Sequence, residues 1–364
     1  MSDFTFLQRM IIYFLNWSYS IIRKAIILFT NNEDGFLTYL DLKLFRIYTR
    51  VLTLLVPWKR LSSQTKKNES TCEKGCQLID INLLCKDRQS VHPDIIELNL
   101  FNYHGWAMVI SSYPYRCDYY ENPIIAQSLD AISWKPVDAE LGYRIKNNST
   151  HQYHSDPSLL HLAGSVAFFD RVVQVNKNGT ANICIFLQLS KDLNHWSEPQ
   201  KIMHQYGSFQ NHAKLLSPTF LEFGNKFLCW YAEKDEYTEN LRMFRMESDD
   251  LYTWKNKSEV VVEGLAEGGI WHLDIIEYNG KLLMAGDIKY GKTHRIQLFI
   301  SDDYGFTWVA HNVIIESGIG FSRKSVYRAS IIIKDEKLYL YYTGRSILDR
   351  WQTAMKIFPL EVIL

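Results

Sequence analysis

Three observations predict an all-β chain folded as a five-bladed β-propeller behind an N-terminal α-helical hairpin. Apolar residues recur at helical spacing only in the first sixty positions; beyond residue 76, short β-rich runs alternate with turns; and local signatures recur there at a period near 55 residues. Residues 90–364 number 275, which is five repeats of 55. The expected organisation is therefore helices over 1–60, a linker over 61–76 and the propeller over 77–364.

The first element opens with Met10 to Ile22, thirteen uncharged residues between Arg9 and Arg23-Lys24. A membrane-spanning helix needs about twenty apolar residues, so this run is short for one. Asp3 precedes it and no small-residue cleavage site follows, which argues against a signal peptide. Asn31 to Gly35 reads as a turn. Phe36, Leu37, Leu40, Leu44, Tyr48, Val51 and Leu55 then recur at helical spacing until Pro57 ends the helix. Eight basic against four acidic residues in positions 1–60 leave a local positive surplus. The hairpin either packs on the main domain or on a second copy of it, or lies in a membrane interface with Tyr13, Trp17 and Tyr19 at headgroup level. The second reading makes the expected location the inner face of the cytoplasmic membrane. Ser62 to Gly75 is polar and reads as the linker.

Within the repeats, a Ser-Asp turn follows a β-run and is followed by a Trp. It appears as Ser128/Asp130/Trp134, Ser190/Asp192/Trp196, Ser248/Asp250/Trp254 and Ser301/Asp303/Trp308. Upstream of these, a polar residue beside Pro or Asp opens a strand, in Glu121-Asn122-Pro123, Ser155-Asp156-Pro157, Leu216-Ser217-Pro218, Trp271-His272-Leu273-Asp274 and Tyr327-Arg328-Ala329. Turns at Gly224-Asn225, Asn279-Gly280 and Asp335-Glu336 then precede aromatic strands, as in antiparallel neighbours. Four strands per repeat and five starts make a propeller. The Ile79 to Leu100 region is expected to supply the strand that closes the ring with the last blade.

Composition narrows the function. Forty Lys+Arg balance forty Asp+Glu, so no whole-chain field gathers nucleic acid. Aromatics reach 14%, with 10 Trp and 22 Tyr, which suits strands and also surfaces that cover the apolar faces of sugars. Cys72 and Cys76 form a CxxxC with no second pair at zinc-ligand spacing, and the six dispersed cysteines read as reduced thiols. Neither a metal motif nor a nucleotide-binding motif is present, and no cofactor is implied. Ser301 to Trp308 matches the S-x-D-x-G-x-T-W Asp box letter for letter, a structural hairpin motif.

These starts, in this order, resemble the five-bladed propellers of glycoside hydrolase families 43 and 32 over roughly residues 95–364. The resemblance implies an axial funnel lined by the first strand of each blade. It implies a first-blade Asp as base or nucleophile, a second-blade Asp that orients, a third-blade Glu as acid and a fourth-blade His beneath. Asp156 and His272 match. Asn122, with Glu121 beside it, stands at the first position, and Leu216 or Ser217 at the third. The same starts resemble relatives from bacterial surface-polysaccharide genes. On that resemblance the funnel holds Glu121, Asp156, Ser217, His272, Asp274, Tyr327 and Arg328, with Glu233 and Asp287 as further candidates from second strands.

The expected carboxylate pair is Asp156 with Asp274, or Glu121 with either, because glycosyl hydrolysis or transfer needs two carboxylates across one bond. Each residue also has a structural reading: Asp156 as a turn cap, His272 beside Trp271 as a core histidine, Arg328 as a counter-charge or as a clamp for an anionic sugar. Ser111 to Pro123, with Arg116, Tyr120 and Asn122, is the expected sugar platform. The expected partner is an oligosaccharide or polysaccharide. A non-catalytic glycan-binding propeller is the second reading. A sialidase is the third, and it lacks the Arg triad and sixth blade that such enzymes have.

Overall fold

The computed structural model describes residues 75–79, 89–100, 103–113, 121–137, 152–176, 180–208, 213–235, 240–265, 268–290, 293–318, 320–346 and 350–363, together with Phe14 and Ser18. The expected helical hairpin and linker otherwise lie outside these residues, as do Arg116 and Tyr120. No helix among the described residues is long and apolar enough to cross a membrane.

The strands form five separate sheets around one axis. A short strand β1 (Cys76–Leu78) precedes blade 1, which is β2 (Ser90–Leu100), β3 (Tyr103–Ser112), β4 (Asn122–Ser128) and β5 (Lys135–Pro136). Blade 2 is β6 (Gln152–Leu162), β7 (Ser165–Val175), β8 (Thr180–Ser190) and β9 (Gln200–Ser208). Blade 3 is β10 (Leu216–Phe223), β11 (Lys226–Lys234), β12 (Leu241–Ser248) and β13 (Lys255–Glu259). A connecting strand β14 (Val261–Glu263) joins the outer edge of blade 4, which is β15 (Gly269–Tyr278), β16 (Lys281–Tyr290), β17 (Thr293–Ser301) and β18 (Thr307–Glu316). Blade 5 is β19 (Ser325–Lys334), β20 (Lys337–Arg345) and β21 (Trp351–Pro359), and a single helical turn, α1 (Leu360–Ile363), follows.

The fourth strand of blade 5 comes from the other end of the chain. β1 pairs antiparallel with β21, Cys76 opposite Lys356 and Leu78 opposite Ala354. This corrects the expected closure. The closing strand lies just upstream of Ile79, and Ser90–Leu100 is the inner strand of blade 1.

Each blade is a sheet buried on both faces, so its middle strands read as continuous apolar runs rather than alternating ones. Cys229 to Ala232 of β11 and Ala107 to Ile110 of β3 are fully buried in this way. Five apolar clusters result, one in each gap between neighbouring blades. Leu98, Val109 and Phe168 fill the gap between blades 1 and 2, and Ile95, Tyr341 and Met355 the gap between blades 1 and 5. The inner strands β2, β6, β10, β15 and β19 touch in a closed circle around the axis.

The Ser-Asp turns link the third and fourth strands of a blade. In the turn at Asp192, its Oδ1 accepts the backbone N–H groups of Asn194 (2.9 Å) and His195 (2.8 Å), and Trp196 Nε1 donates to Leu193 O. Asp130, Asp250 and Asp303 repeat the pattern. In blade 1 the carbonyl of Ala131 accepts the hydroxyl of Tyr341, so the Trp134 ring is held by packing alone.

Candidate active site

Each inner strand carries a register shift at the same place, between Val91 and Asp94, Ser155 and Ser158, Leu216 and Thr219, Ile270 and His272, and Tyr327 and Ala329. A bulge re-aims a side chain. The bulges take His92, Asp156, Ser217 and Arg328 out of the ladder at equivalent positions, and in blade 4 they take out Trp271, with His272 paired directly after it. The first three sit immediately before Pro93, Pro157 and Pro218, with φ of 55°, 49° and 50°. Non-glycine residues adopt this left-handed conformation uncommonly, and here it lies at the axis on three neighbouring blades.

His92 occupies the first-blade position that the sequence reading gave to Asn122. The segment Val91-His92-Pro93 has the same form as Ser155-Asp156-Pro157, and that likeness was the signal available for it. Asn122 instead opens the third strand of blade 1, buried and paired with Ser112. Glu121, beside it, does reach the axis, where its Oε1 stands 2.6 Å from the Nδ1 of His92.

A hollow of about 400 Å³ opens at this end of the axis, lined by His92, Glu121, Asp156, Trp271, His272 and Tyr327 among others. The Oδ1 of Asp156 lies 3.5 Å from His92 Nε2 and 3.3 Å from His272 Nδ1. None of these three buried atoms completes a hydrogen bond within the protein. The other carboxylate oxygen, Oδ2, is fixed by Ser155 Oγ (3.3 Å) and Arg171 Nη1 (3.4 Å). Burial alone would raise the Asp156 carboxyl, but His92, His272 and Arg171 outweigh it and hold the carboxyl well below the usual carboxylate range. Burial lowers His272 to about 3, so its ring is neutral with a lone pair to offer.

His92, Asp156 and His272 each bring one ligand atom within 4.8 Å of the others. Two ligands about 2.0–2.2 Å from one divalent cation stand roughly 3.3–3.6 Å apart at tetrahedral angles, and the distances from Asp156 Oδ1 to His92 and to His272 fall in that range. Glu121 then stands beside the other ring nitrogen of His92, where a carboxylate commonly backs a ligating histidine. A metal-free site was expected because no ligand motif is visible along the chain. The three residues come from three different blades, so spacing along the sequence carries no trace of them.

The remaining candidates divide by position. Tyr327 and Trp271 line the hollow, and Trp271 Nε1 donates to the Tyr327 hydroxyl at 3.2 Å. Burial raises the Tyr327 phenol well above its usual range. Asp287 is fully buried behind the hollow and accepts from His294 Nδ1 at 2.7 Å, while His294 itself lines the hollow. Ser217 ties β10 to β15, its Oγ accepting the Leu273 N–H at 3.3 Å. Arg328 is fully buried on the axis, 3.5 Å from Asp156 Oδ1 and donating to Pro157 O at 3.0 Å. Glu233 lies away from the hollow, held by Gln205 (2.7 Å) and Lys257 (2.9 Å).

Asp274 does not share a hollow with Asp156. It faces a second cavity of about 430 Å³ at the opposite end of the axis, together with Asp94. There it accepts from Thr219 Oγ1 (3.2 Å) and the Ile331 N–H (2.8 Å), joining three inner strands. Alternation along β15 puts Asp274 on the same strand face as His272, but the axial channel has two mouths and Arg328 lies between them. Sequence reasoning missed His92, Arg171 and His294; the last two come from second and third strands, where no start motif marks them.

Comparison with protein-family profiles found no match, and comparison with curated proteins found none either. Solved structures do match. An N-acetylgalactosamine deacetylase from F. plautii, in complex with blood group B trisaccharide, superposes with a TM-score of 0.64 at 17% identity, over 79% of this chain and 95% of that one. A β-1,2-mannobiose phosphorylase from Listeria innocua gives 0.55 at 12% identity, over 80% and 93%. The GH43_1 enzyme from Xanthomonas citri, complexed with xylose, gives 0.53 at 13% identity, over 75% and 88%. The chain is a five-bladed β-propeller of the architecture these enzymes share, as the strand starts implied.

Proposed function

We propose that the axial hollow is the active site of a carbohydrate-active hydrolase that removes an acyl group from a glycan, with a divalent cation held by His92, Asp156 and His272. The observation that carries this reading is the convergence of three buried ligand atoms that make no hydrogen bond in the protein. The likeness of fold to a deacetylase and to sugar-cleaving enzymes supports the substrate class. A bound cation would polarise the acyl carbonyl and lower the pKa of a water molecule. Glu121 orients His92, and Arg171 with Ser155 orients Asp156. Tyr327 accepts from Trp271 and so keeps its own hydrogen for an oxygen that becomes negative in the hollow. Asp287 fixes His294 with Nδ1 donating, which leaves Nε2 to carry a proton between water and the leaving nitrogen or oxygen.

A second reading keeps Asp156 and Glu121 as the carboxylate pair of glycosyl hydrolysis or transfer. It is favoured by their both reaching His92. Product analysis separates the two: acetate released from N- or O-acetylated oligosaccharides supports acyl removal, and new reducing ends support glycosyl cleavage. Sugar binding without either product identifies a glycan-binding propeller. Metal content by mass spectrometry should approach one divalent ion per chain. His92→Ala and His272→Ala should lose it together with at least ~100-fold of activity. Full activity after exhaustive chelation would sink the metal-assisted reading. The glycan setting we propose is cell-surface polysaccharide, with residues 1–60 as a peripheral membrane contact on the cytoplasmic side. Deleting 1–60 should then move the protein from the membrane to the soluble fraction, and unchanged fractionation contradicts that.

A further inference from the structure

Most tryptophans of the propeller are core residues. Trp106 and Trp134 fill the gap between blades 1 and 5, and Trp230 and Trp308 the gap between blades 3 and 4. Among the described residues, Trp351 is the one tryptophan that joins none of the five apolar clusters. It opens β21, is partly exposed and lines the hollow. Core packing does not account for this ring.

Its surroundings fix where it stands. The Trp351 backbone N–H donates to Gln89 Oε1 at 3.0 Å, which ties the start of β21 to the entry of blade 1. The Tyr327 ring centre lies 5.1 Å away and the Arg345 guanidinium 5.4 Å. Among the described residues, none accepts the indole N–H of Trp351. Tyr327 in turn stands 4.4 Å from His272 and 5.4 Å from His92. Trp351 makes ring contact with Tyr327 and Tyr113 but, among the described residues, with neither histidine. It therefore lies one ring further from the three ligand atoms than Tyr327 does, on the same wall of the hollow.

We infer that Trp351 is the platform of a second sugar subsite, so that the ligand is an oligosaccharide of at least two residues. One residue lies over His92, Asp156 and His272, and the pyranose next to it stacks on Trp351. This rests on the hydrolase reading and names the length of its substrate. A pyranose carries C–H groups on its faces and hydroxyls around its edge. A flat aromatic ring covers such a face and leaves the hydroxyls to water and to donors such as the indole N–H. A tryptophan already held by its neighbours loses little freedom when it does so, which favours binding. The contact is uncharged, so salt leaves it in place.

Calorimetry on the full chain reads this without turnover. The probes are the monosaccharides N-acetylglucosamine and N-acetylgalactosamine and the disaccharides N,N′-diacetylchitobiose, N-acetyllactosamine and galacto-N-biose. At least one disaccharide should bind about tenfold or more tightly than either monosaccharide. The advantage should hold between about 50 and 500 mM NaCl. Trp351→Leu, which keeps apolar bulk and loses the flat face, should bring it below about threefold. Trp351→Phe, a smaller ring at the same place, should keep part of it. Equal binding of both lengths, no saturable binding of any disaccharide, or an advantage that survives Trp351→Leu would overturn the subsite. Should the Leu variant not fold, an undiminished advantage in Trp351→Phe overturns it instead. Metal content and acetate release from the same proteins report separately on the hydrolase reading. A metal-loaded, acetate-releasing protein without the length preference removes the subsite alone. A preference that falls in the order Trp, Phe, Leu, in a protein with neither metal nor acetate release, keeps the subsite and removes the hydrolase reading.

Discussion

At the scale of single residues, the axis is a stack of buried charges whose order sets their protonation. Asp156 stays ionised because three cationic or hydrogen-bearing groups surround it. Asp94, at the far end, accepts from the Leu159 N–H and Ser330 Oγ, and the charges near it are Asp274 and Arg328. Burial first, and Asp274 second, raise Asp94 from 3.8 to about 7. The folded protein therefore keeps a proton that the unfolded chain releases near pH 4. Its contribution to stability falls as pH rises from about 4 to 7, by at most about 1.4 kcal/mol per unit. Asp94→Asn retains an acceptor for the Leu159 N–H that Asp94 binds and removes this fall. The variant should gain on the parent steadily between pH 4 and 7 in urea titrations, and a pH-independent difference would contradict the assignment. Tyr327→Phe removes one hydroxyl from the hollow while its ring stays in contact with His272 at 4.4 Å. On the acyl-hydrolase reading it should lower kcat by about 100-fold with metal content unchanged. Equal loss of metal and rate would make Tyr327 structural instead.

At the scale of elements, the bulge and the Ser-Asp turn do opposite jobs on the same blade. The bulge sacrifices ladder pairing to aim a side chain at the axis, and the turn saturates its backbone donors to hold the outer hairpin. Gly305 shows how tight the second device is. Its φ is +78°, and an added Cβ would stand 2.4 Å from the Trp230 ring of blade 3, whose Nε1 donates to Gly305 O. Gly305→Ala therefore combines a left-handed penalty with a clash against a fully buried ring, and should cost about 2–4 kcal/mol in chemical denaturation. A loss below about 0.5 kcal/mol would mean that the turn moves freely against blade 3. The turn residues were legible in the sequence because each turn is local, with Ser, Asp and Trp within eight positions. Of the five bulges, those at Asp156, Ser217, Trp271 and Arg328 fall within the predicted strand starts. The one at His92 was displaced onto Asn122, because Asn122-Pro123 also precedes a strand and local pattern cannot tell a first strand from a third.

At the scale of the whole molecule, closure is the decisive feature. Five apolar interfaces give the ring its cohesion, and among the described residues the outer edge of β21 is paired by the short strand β1. Removing residues 1–78 exposes that edge. Such a truncation should lower the melting temperature by several degrees and promote association, and an unchanged melting curve in a monomeric truncated protein would show that β1 is dispensable. Closure also creates two mouths on one axis, and this separates Asp274 from Asp156. The pair looks sound along β15, where residues two apart share a face. It fails because Arg328, from another blade, stands between the cavities.

The sequence by itself determined the blade count, the turns and four of the five axial residues, since these depend on periodicity and short-range hydrogen bonding that neighbouring positions already contain. Only the tertiary structure decided that β1 closes blade 5 and that His92 joins Asp156 and His272. These contacts join blades up to five repeats apart. Their distances are set by how sheets pack around a ring, a quantity that no spacing along the chain encodes.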